Sequence, residues 1–120
     1  VNMEDSQAAM RDGSIFEYCK LNDMVIQAWS VLQFGYFKGN FVGNEKFQQL
    51  NQVLNRLALK YSVSPSAIAI AWVLRYPAKM QAVVGTTNPK HLREASQATN
   101  FILTRKEWYE IYLAAGNNLP

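Results

Sequence analysis

The chain has 120 residues, 49% of them hydrophobic and 18% charged, a size and balance that fit one globular domain rather than a disordered chain. It holds no run of about 20 apolar residues, so a membrane span is not expected; Val1-Asn2-Met3-Glu4-Asp5 lacks the basic and apolar stretches of a signal peptide, so none is expected there either. The net charge of +3 comes from scattered Lys and Arg, without the basic stripe of a nucleic-acid footprint.

Residues 1–13 are polar and end in the turn signal Asp12-Gly13. Ile15, Phe16 and Cys19 then recur at helical spacing up to Leu21 and predict a short helix that stops near Asn22-Asp23. Met24-Val25-Ile26-Gln27-Ala28-Trp29 follows as a mostly apolar run, as expected of a strand covered on both sides in a parallel sheet. Residues 31–43 read as a loop, with Gly35, Gly39 and Gly43 between Phe34, Tyr36, Phe37 and Phe41. Such a loop either carries function or folds over a core, and both readings stand.

Phe47, Leu50, Leu54, Leu57 and Tyr61 mark one face of a long helix, with Asn44 as its N-cap. Ser64-Pro65 is a cap followed by proline in the first helical position, and opens a helix through Ile68, Ala71, Trp72 and Arg75. Pro77 stops it. A second strand is expected at residues 82–84, and Asn88-Pro89 repeats the cap-then-proline signal for a helix through Leu92 and Ala95 towards Thr99. Thr104 and Glu107 form a capping box for a last helix carrying Trp108, Ile111, Tyr112 and Ala115, with Gly116 as the stop. Strands alternating with helices imply an α/β fold with a parallel sheet. Two strands alone leave open edges, so the pattern reads as part of something larger.

Two places gather chemistry. In Val83-Val84-Gly85-Thr86-Thr87-Asn88-Pro89, a strand runs into a helix N-terminus, bringing backbone N–H groups, two hydroxyls and the helix dipole to one point, which favours an anion. Lys90, His91 and Arg93 lie on the following turns to supply charge. The same residues also serve a plain capped turn, and the residues alone leave both readings open. Ala28-Trp29-Ser30 sits at the equivalent end of the earlier strand, where ligands gather in parallel α/β folds. There Trp29 either stacks on a flat ring or belongs to the core. No Walker loop, Gly-x-Gly-x-x-Gly, metal-ligand cluster or nucleophile beside a base is present, and His91 is the only histidine. Cys19, the only cysteine, has no partner for a disulfide and no nearby histidine, and is read as a bland thiol suited to a reducing compartment. Asp5, Asp12 and Asp23 are read as caps and solvated loops.

At these residues the sequence resembles the C-terminal portion of the aldo-keto reductases. Gln27-Ala28-Trp29-Ser30-Val31-Leu32 looks like the seventh barrel strand and its loop, although Val31 stands where the family usually has proline. Val83 through Glu94 looks like the eighth strand and the motif for the adenosine 2′-phosphate, and Leu103-Thr104-Arg105-Lys106-Glu107-Trp108-Tyr109-Glu110 onward resembles one bacterial oxidoreductase branch. The resemblance spans essentially the whole chain. It implies that residues 1–120 form a single partial domain, the C-terminal part of a (β/α)₈ TIM barrel of about 250 residues or more.

It also implies hydride transfer from NADPH to an aldehyde or ketone. By position, Trp29 would stack on the nicotinamide, while Ser30, Leu32, Gly35 and Lys38 would line the cofactor's middle. Gly85, Thr86 and Thr87 would hold the 2′-phosphate side and Glu94 would face the adenine. His91 stands where the family usually has arginine; Lys90 or Arg93 could substitute, but a histidine there would weaken the preference for NADPH over NADH. The family's Asp, Tyr, Lys and His catalytic set lies on earlier strands, and Tyr18, Tyr36, Tyr61, Tyr76, Tyr109 and Tyr112 match none of its motifs. No catalytic or metal-binding residue is therefore assigned to this chain. The implied setting is cytoplasmic, with a small carbonyl substrate in the full-length enzyme, no nucleic-acid or membrane partner, and self-association of an incomplete barrel through open edges and an apolar inner face. The alternative is a non-catalytic nucleotide-binding or interaction module that retains only the cofactor face.

Overall fold

The computed structural model describes residues 14–35 and 38–119. The elements run α1 (Ser14–Leu21), β1 (Ile26–Ala28), a 3₁₀ turn (Glu45–Phe47), α2 (Gln48–Tyr61), α3 (Pro65–Leu74), β2 (Met80–Ala82), α4 (Pro89–Ser96), a second 3₁₀ turn (Gln97–Thr99) and α5 (Arg105–Ala114). The expectations placed on Asp5, Asp12-Gly13, Tyr36 and Phe37 lie outside the described residues.

Local capping chemistry sets the helix starts. The Ser64 hydroxyl accepts the Ala67 N–H at 3.1 Å ahead of Pro65, and Asn88 Oδ1 accepts the Lys90 N–H at 2.9 Å ahead of Pro89. At α5 the capping box closes in both directions, Glu107 N–H to Thr104 Oγ1 at 3.2 Å and Thr104 N–H to Glu107 Oε2 at 2.8 Å. Gly116, at φ 83°, supplies the left-handed turn after α5. Asn44 caps the 3₁₀ turn and not α2: its side chain accepts from Lys46 N, because the chain tightens for one turn before relaxing into the α-helix. The helix expected to reach Thr99 is α-helical only to Ser96 and ends in the second 3₁₀ turn.

Helix α3 explains the packing. Six of its ten residues, Ala67 to Ala71 and Val73, are buried, because the helix touches α2, α4 and β2 together. Leu50, Leu54 and Leu57 of α2, Ile68 of α3, Leu103 and Ile111 of α5 are all fully buried, each contributing about 1.5–3 kcal/mol of apolar transfer. Trp72 and Trp108 clasp α3 to α5, with rings stacked at 4.7 Å. Each indole N–H donates to the other's backbone carbonyl, at 2.9 and 3.0 Å. Glu107 adds a polar lock, accepting from Lys60 Nζ at 2.6 Å and Tyr61 OH at 2.8 Å across to α2. Burial by itself would raise its carboxyl pKa; the bonds from Lys60, the Thr104 backbone and Tyr61 outweigh it and bring the value to about 2.

The two strands pair in parallel, Ile26 opposite Met80, Gln27 opposite Gln81 and Ala28 opposite Ala82. This corrects the expected extents, residues 24–29 and 82–84. Strand length is set by where two chains run side by side, and Ser30, at φ 53°, turns the first chain away. The ladder carries only one bond past Ala82, from Val83 N–H to the Ala28 carbonyl at 2.8 Å. The expectation of strands covered on both faces is also corrected. Ile26, Ala28, Met80 and Ala82 are half-buried against the helices, whereas Gln27 and Gln81 are exposed and bond to each other at 3.2 Å. The inner face is thus polar at its centre and flanked by exposed Val25 and Val83, not uniformly apolar.

Candidate functional site

Everything at the carboxyl end of the sheet follows from how the two strands leave it. Trp29 lies one residue beyond β1, on the same strand face as Val25 and Gln27, and is 57% exposed. Beyond β2, residues 83–88 run without regular structure into the cap of α4. Thr86 Oγ1 accepts the Asn88 N–H at 3.2 Å, so its own hydroxyl hydrogen remains available to donate to a ligand.

The loop after β1 is both core and wall. Phe34 and Phe41 are buried, while the backbone between them folds back through an antiparallel bridge of Gln33 with Asn40. Gly39 takes φ 103° at the return, a conformation that favours glycine. One buried side chain on α2 holds the loop. Asn51 donates to the carbonyls of Phe41 at 2.9 Å, Asn44 at 3.1 Å and Phe47 at 3.0 Å, and accepts the Gly43 N–H at 2.7 Å. Sequence reading missed Asn51 as a functional support. Its only signal was a polar residue beside Leu50 on the apolar face of α2.

These pieces enclose a cleft of about 620 Å³, within the range of small-molecule sites. Of the residues predicted from sequence, it gathers Trp29, Ser30, Leu32, Gly85, Thr86, His91 and Glu94 on its walls. Gly35, Lys38 and Thr87 are not on that lining. Gly35 is buried under the Lys38 stem, where an added Cβ would come 2.6 Å from Lys38 Cδ, and Thr87 is exposed. Gln33, Asn40 and Ser66 also line the cleft. Sequence reading did not single them out: the loop fold that turns Gln33 and Asn40 inward and the packing that aims Ser66 are tertiary.

Charge is sparse there. Among the described residues the one carboxylate on the lining is Glu94, and no Lys, Arg or Tyr side chain lines the cleft. Lys90 and Arg93, expected to supply charge, lie off the lining, and the Lys90 ammonium stands 4.0 Å from Glu94. No group of three or more His, Cys, Asp or Glu is arranged to hold a metal ion among the described residues. No single helix among them is long and apolar enough to cross a membrane.

The family model described as the aldo/keto reductase family matches residues 8–114. The 6-dehydroglucose reductase of Agrobacterium fabrum is 37% identical over 89 residues, covering 73% of this chain and 28% of that protein. Oxidoreductase YdhF of Escherichia coli is 28% identical over 116 residues, covering 95% of this chain and 37% of that one. The chain thus spans about a third of the length of these curated relatives. Among solved structures, the thermostable aldo-keto reductase Tm1743 superposes with a TM-score of 0.66 at 27% identity, over 97% of this chain and 37% of that one. The aldo-keto reductase MGS-M4 from a deep-sea metagenome library gives 0.61 at 17% identity over 89% of this chain and 36% of that one, a likeness of fold alone. The two parallel strands with their covering helices are accordingly the C-terminal βα units of a (β/α)₈ barrel, and the chain belongs to the aldo/keto reductase family.

Proposed function

We propose that this chain is the cofactor-binding, C-terminal portion of an oxidoreductase that reduces aldehydes or ketones to alcohols with a nicotinamide dinucleotide. The observation that carries the reading is the exposed Trp29 indole on a cleft whose far walls are Gly85-Thr86 and the first turns of α4. The residues fit the group. A half-exposed indole offers a flat apolar face for a nicotinamide ring, and Ser30 and Thr86 bring hydroxyls to the same cleft. Asn88 caps the α4 N-terminus, whose dipole favours phosphate. The family resemblance implies NADPH, and NADH is the second candidate because His91 stands in place of an arginine. When bound, the dinucleotide supplies the hydride; the chain's own residues bind it, orient its ring and shield one face from water.

The substrate pocket and the proton donor belong to parts of the barrel outside these 120 residues, a reading supported by the share of the relatives' length that the chain covers. We place the whole protein in the cytoplasm, with a small carbonyl substrate and neither nucleic acid nor membrane as a partner. Residues 1–120 form one partial domain whose open strand edges favour self-association.

Calorimetric titration of the purified chain with NADPH and NADH tests the reading. Saturable binding of at least one dinucleotide is expected, weakened in the double variant Thr86→Ala, Thr87→Ala, and no aldehyde-dependent oxidation of NADPH is expected from the chain alone. Absence of any dinucleotide binding refutes the cofactor reading. Turnover above background refutes the assignment of the proton donor to the missing strands.

A further inference from the structure

Resting on the reading of residues 1–120 as a partial domain that self-associates, we propose that the outer edge of β2 is the docking site for a second copy of this chain. β2 is paired on one side only: among the described residues the sheet has two strands, in the order β1-β2. Ile26 N–H donates to the Lys79 carbonyl and Val83 N–H to the Ala28 carbonyl, both at 2.8 Å. Backbone groups alternate between the two edges of a strand, so the Met80 carbonyl and both groups of Ala82 face away from β1. Beside this edge runs a groove of about 460 Å³, lined by Ile70 and Leu74 of α3 and by Leu92 and Ala95 of α4. An open edge beside an apolar groove is the geometry of strand addition.

Charge and symmetry select a second copy as the occupant. Among the described residues, none on the groove lining is charged. Two copies therefore meet there without like-charge repulsion, despite the net charge of +3. The segment Met80-Gln81-Ala82-Val83-Val84 carries neither proline nor charge, the devices that ordinarily keep an edge from pairing. Lys79, the cation just before it, is held at 2.6 Å by Asp23, on the turn that leads into β1. Val83 and Leu92 are 44% and 54% exposed, apolar surface that a second copy covers. A two-fold axis normal to the sheet sets the two β2 edges antiparallel and brings both α4 helices to one side. There each Leu92 lies against the other copy's groove, and the assembly closes as a dimer.

Analytical ultracentrifugation of the full chain, from micromolar to sub-millimolar loading, tests the proposal. The parent chain is expected to double its mass as concentration rises and to stop at the dimer. Ala82→Pro removes the outward N–H while Val83 keeps its bond to β1, a substitution that an edge strand tolerates, and should return the chain to monomer. Leu92→Glu, at an exposed position, sets two like charges face to face and should also dissociate the dimer, most strongly at low salt. Leu59→Glu, on a separate exposed surface of α2, should leave association unchanged. A parent chain that stays monomeric overturns both the docking site and the self-association reading, and leaves the dinucleotide reading intact. Association that survives both Ala82→Pro and Leu92→Glu overturns the β2 edge alone. Growth beyond the dimer overturns the two-fold pairing.

Discussion

Replacing Asn51 with leucine keeps the branched shape but removes the side-chain hydrogen bonds that tie α2 to the cleft loop. Three of its hydrogen bonds reach the loop, to the Phe41 and Asn44 carbonyls and from the Gly43 N–H, and the fourth falls on Phe47 one turn back. A net bond contributes about 1 kcal/mol, and a buried polar group left without a partner adds to the loss. The Phe41 carbonyl bond is the buried one, whereas the groups around Asn44 and Gly43 regain water, so the expected loss is about 3 kcal/mol. With a urea m-value of about 1–3 kcal/mol/M, the unfolding midpoint should fall by roughly 1–3 M. Asn55→Ala, on the exposed face of the next turn, serves as the control. The same Asn51 variant should weaken dinucleotide binding, because Leu32, Gln33 and Asn40 on the cleft wall are carried by the loop it holds. A midpoint shift no larger than that of Asn55→Ala would refute the reasoning that this side chain organises the loop.

Other consequences are open to measurement. The Glu107 carboxyl titrates at about 2 when folded, against an ordinary value of 4.5. Its stabilisation, on the order of 3 kcal/mol, is present above pH 4.5 and lost as pH falls from there through 2. Thermal melts from pH 6 to pH 2 should show that acid limb, and Glu107→Gln should flatten it; an equal limb in the variant would contradict the linkage. Phe41→Ala, at a fully buried position beneath the cleft loop, should lower stability by about 3–5 kcal/mol, read by chemical denaturation. Trp108→Phe keeps the stacked ring but removes the indole donor to the Trp72 carbonyl, and should lose about 1 kcal/mol; a neutral result would show that the clasp depends on stacking alone.

Helix starts were legible because capping is a local event. Ser64-Pro65, Asn88-Pro89 and Thr104 with Glu107 each satisfy N–H groups within three residues, so the signal and the partner share one short segment. The core face of α2 was legible for a similar reason: Leu50, Leu54 and Leu57 repeat at the helical period. The strands were less so. Val83 and Val84 have strand-forming side chains, yet β2 lies at Met80–Ala82, because pairing with Ile26–Ala28 decides the extent. Gln27 and Gln81 lie 54 residues apart, and their pairing on the open face depends on register alone.

For the cleft, the sequence by itself determined the two ends that matter, Trp29-Ser30 after one strand and Gly85-Thr86 with His91 and Glu94 after the other, and with them the family. Residue types at strand ends and helix starts are local features. Tertiary structure alone decided that Trp29 is exposed, that Asn51 holds the loop, that Gln33, Asn40 and Ser66 join the wall, and that Glu94 is the one carboxylate on the lining among the described residues. These depend on which side chains the folded chain brings together, and a linear pattern carries no record of contacts that no regular repeat connects.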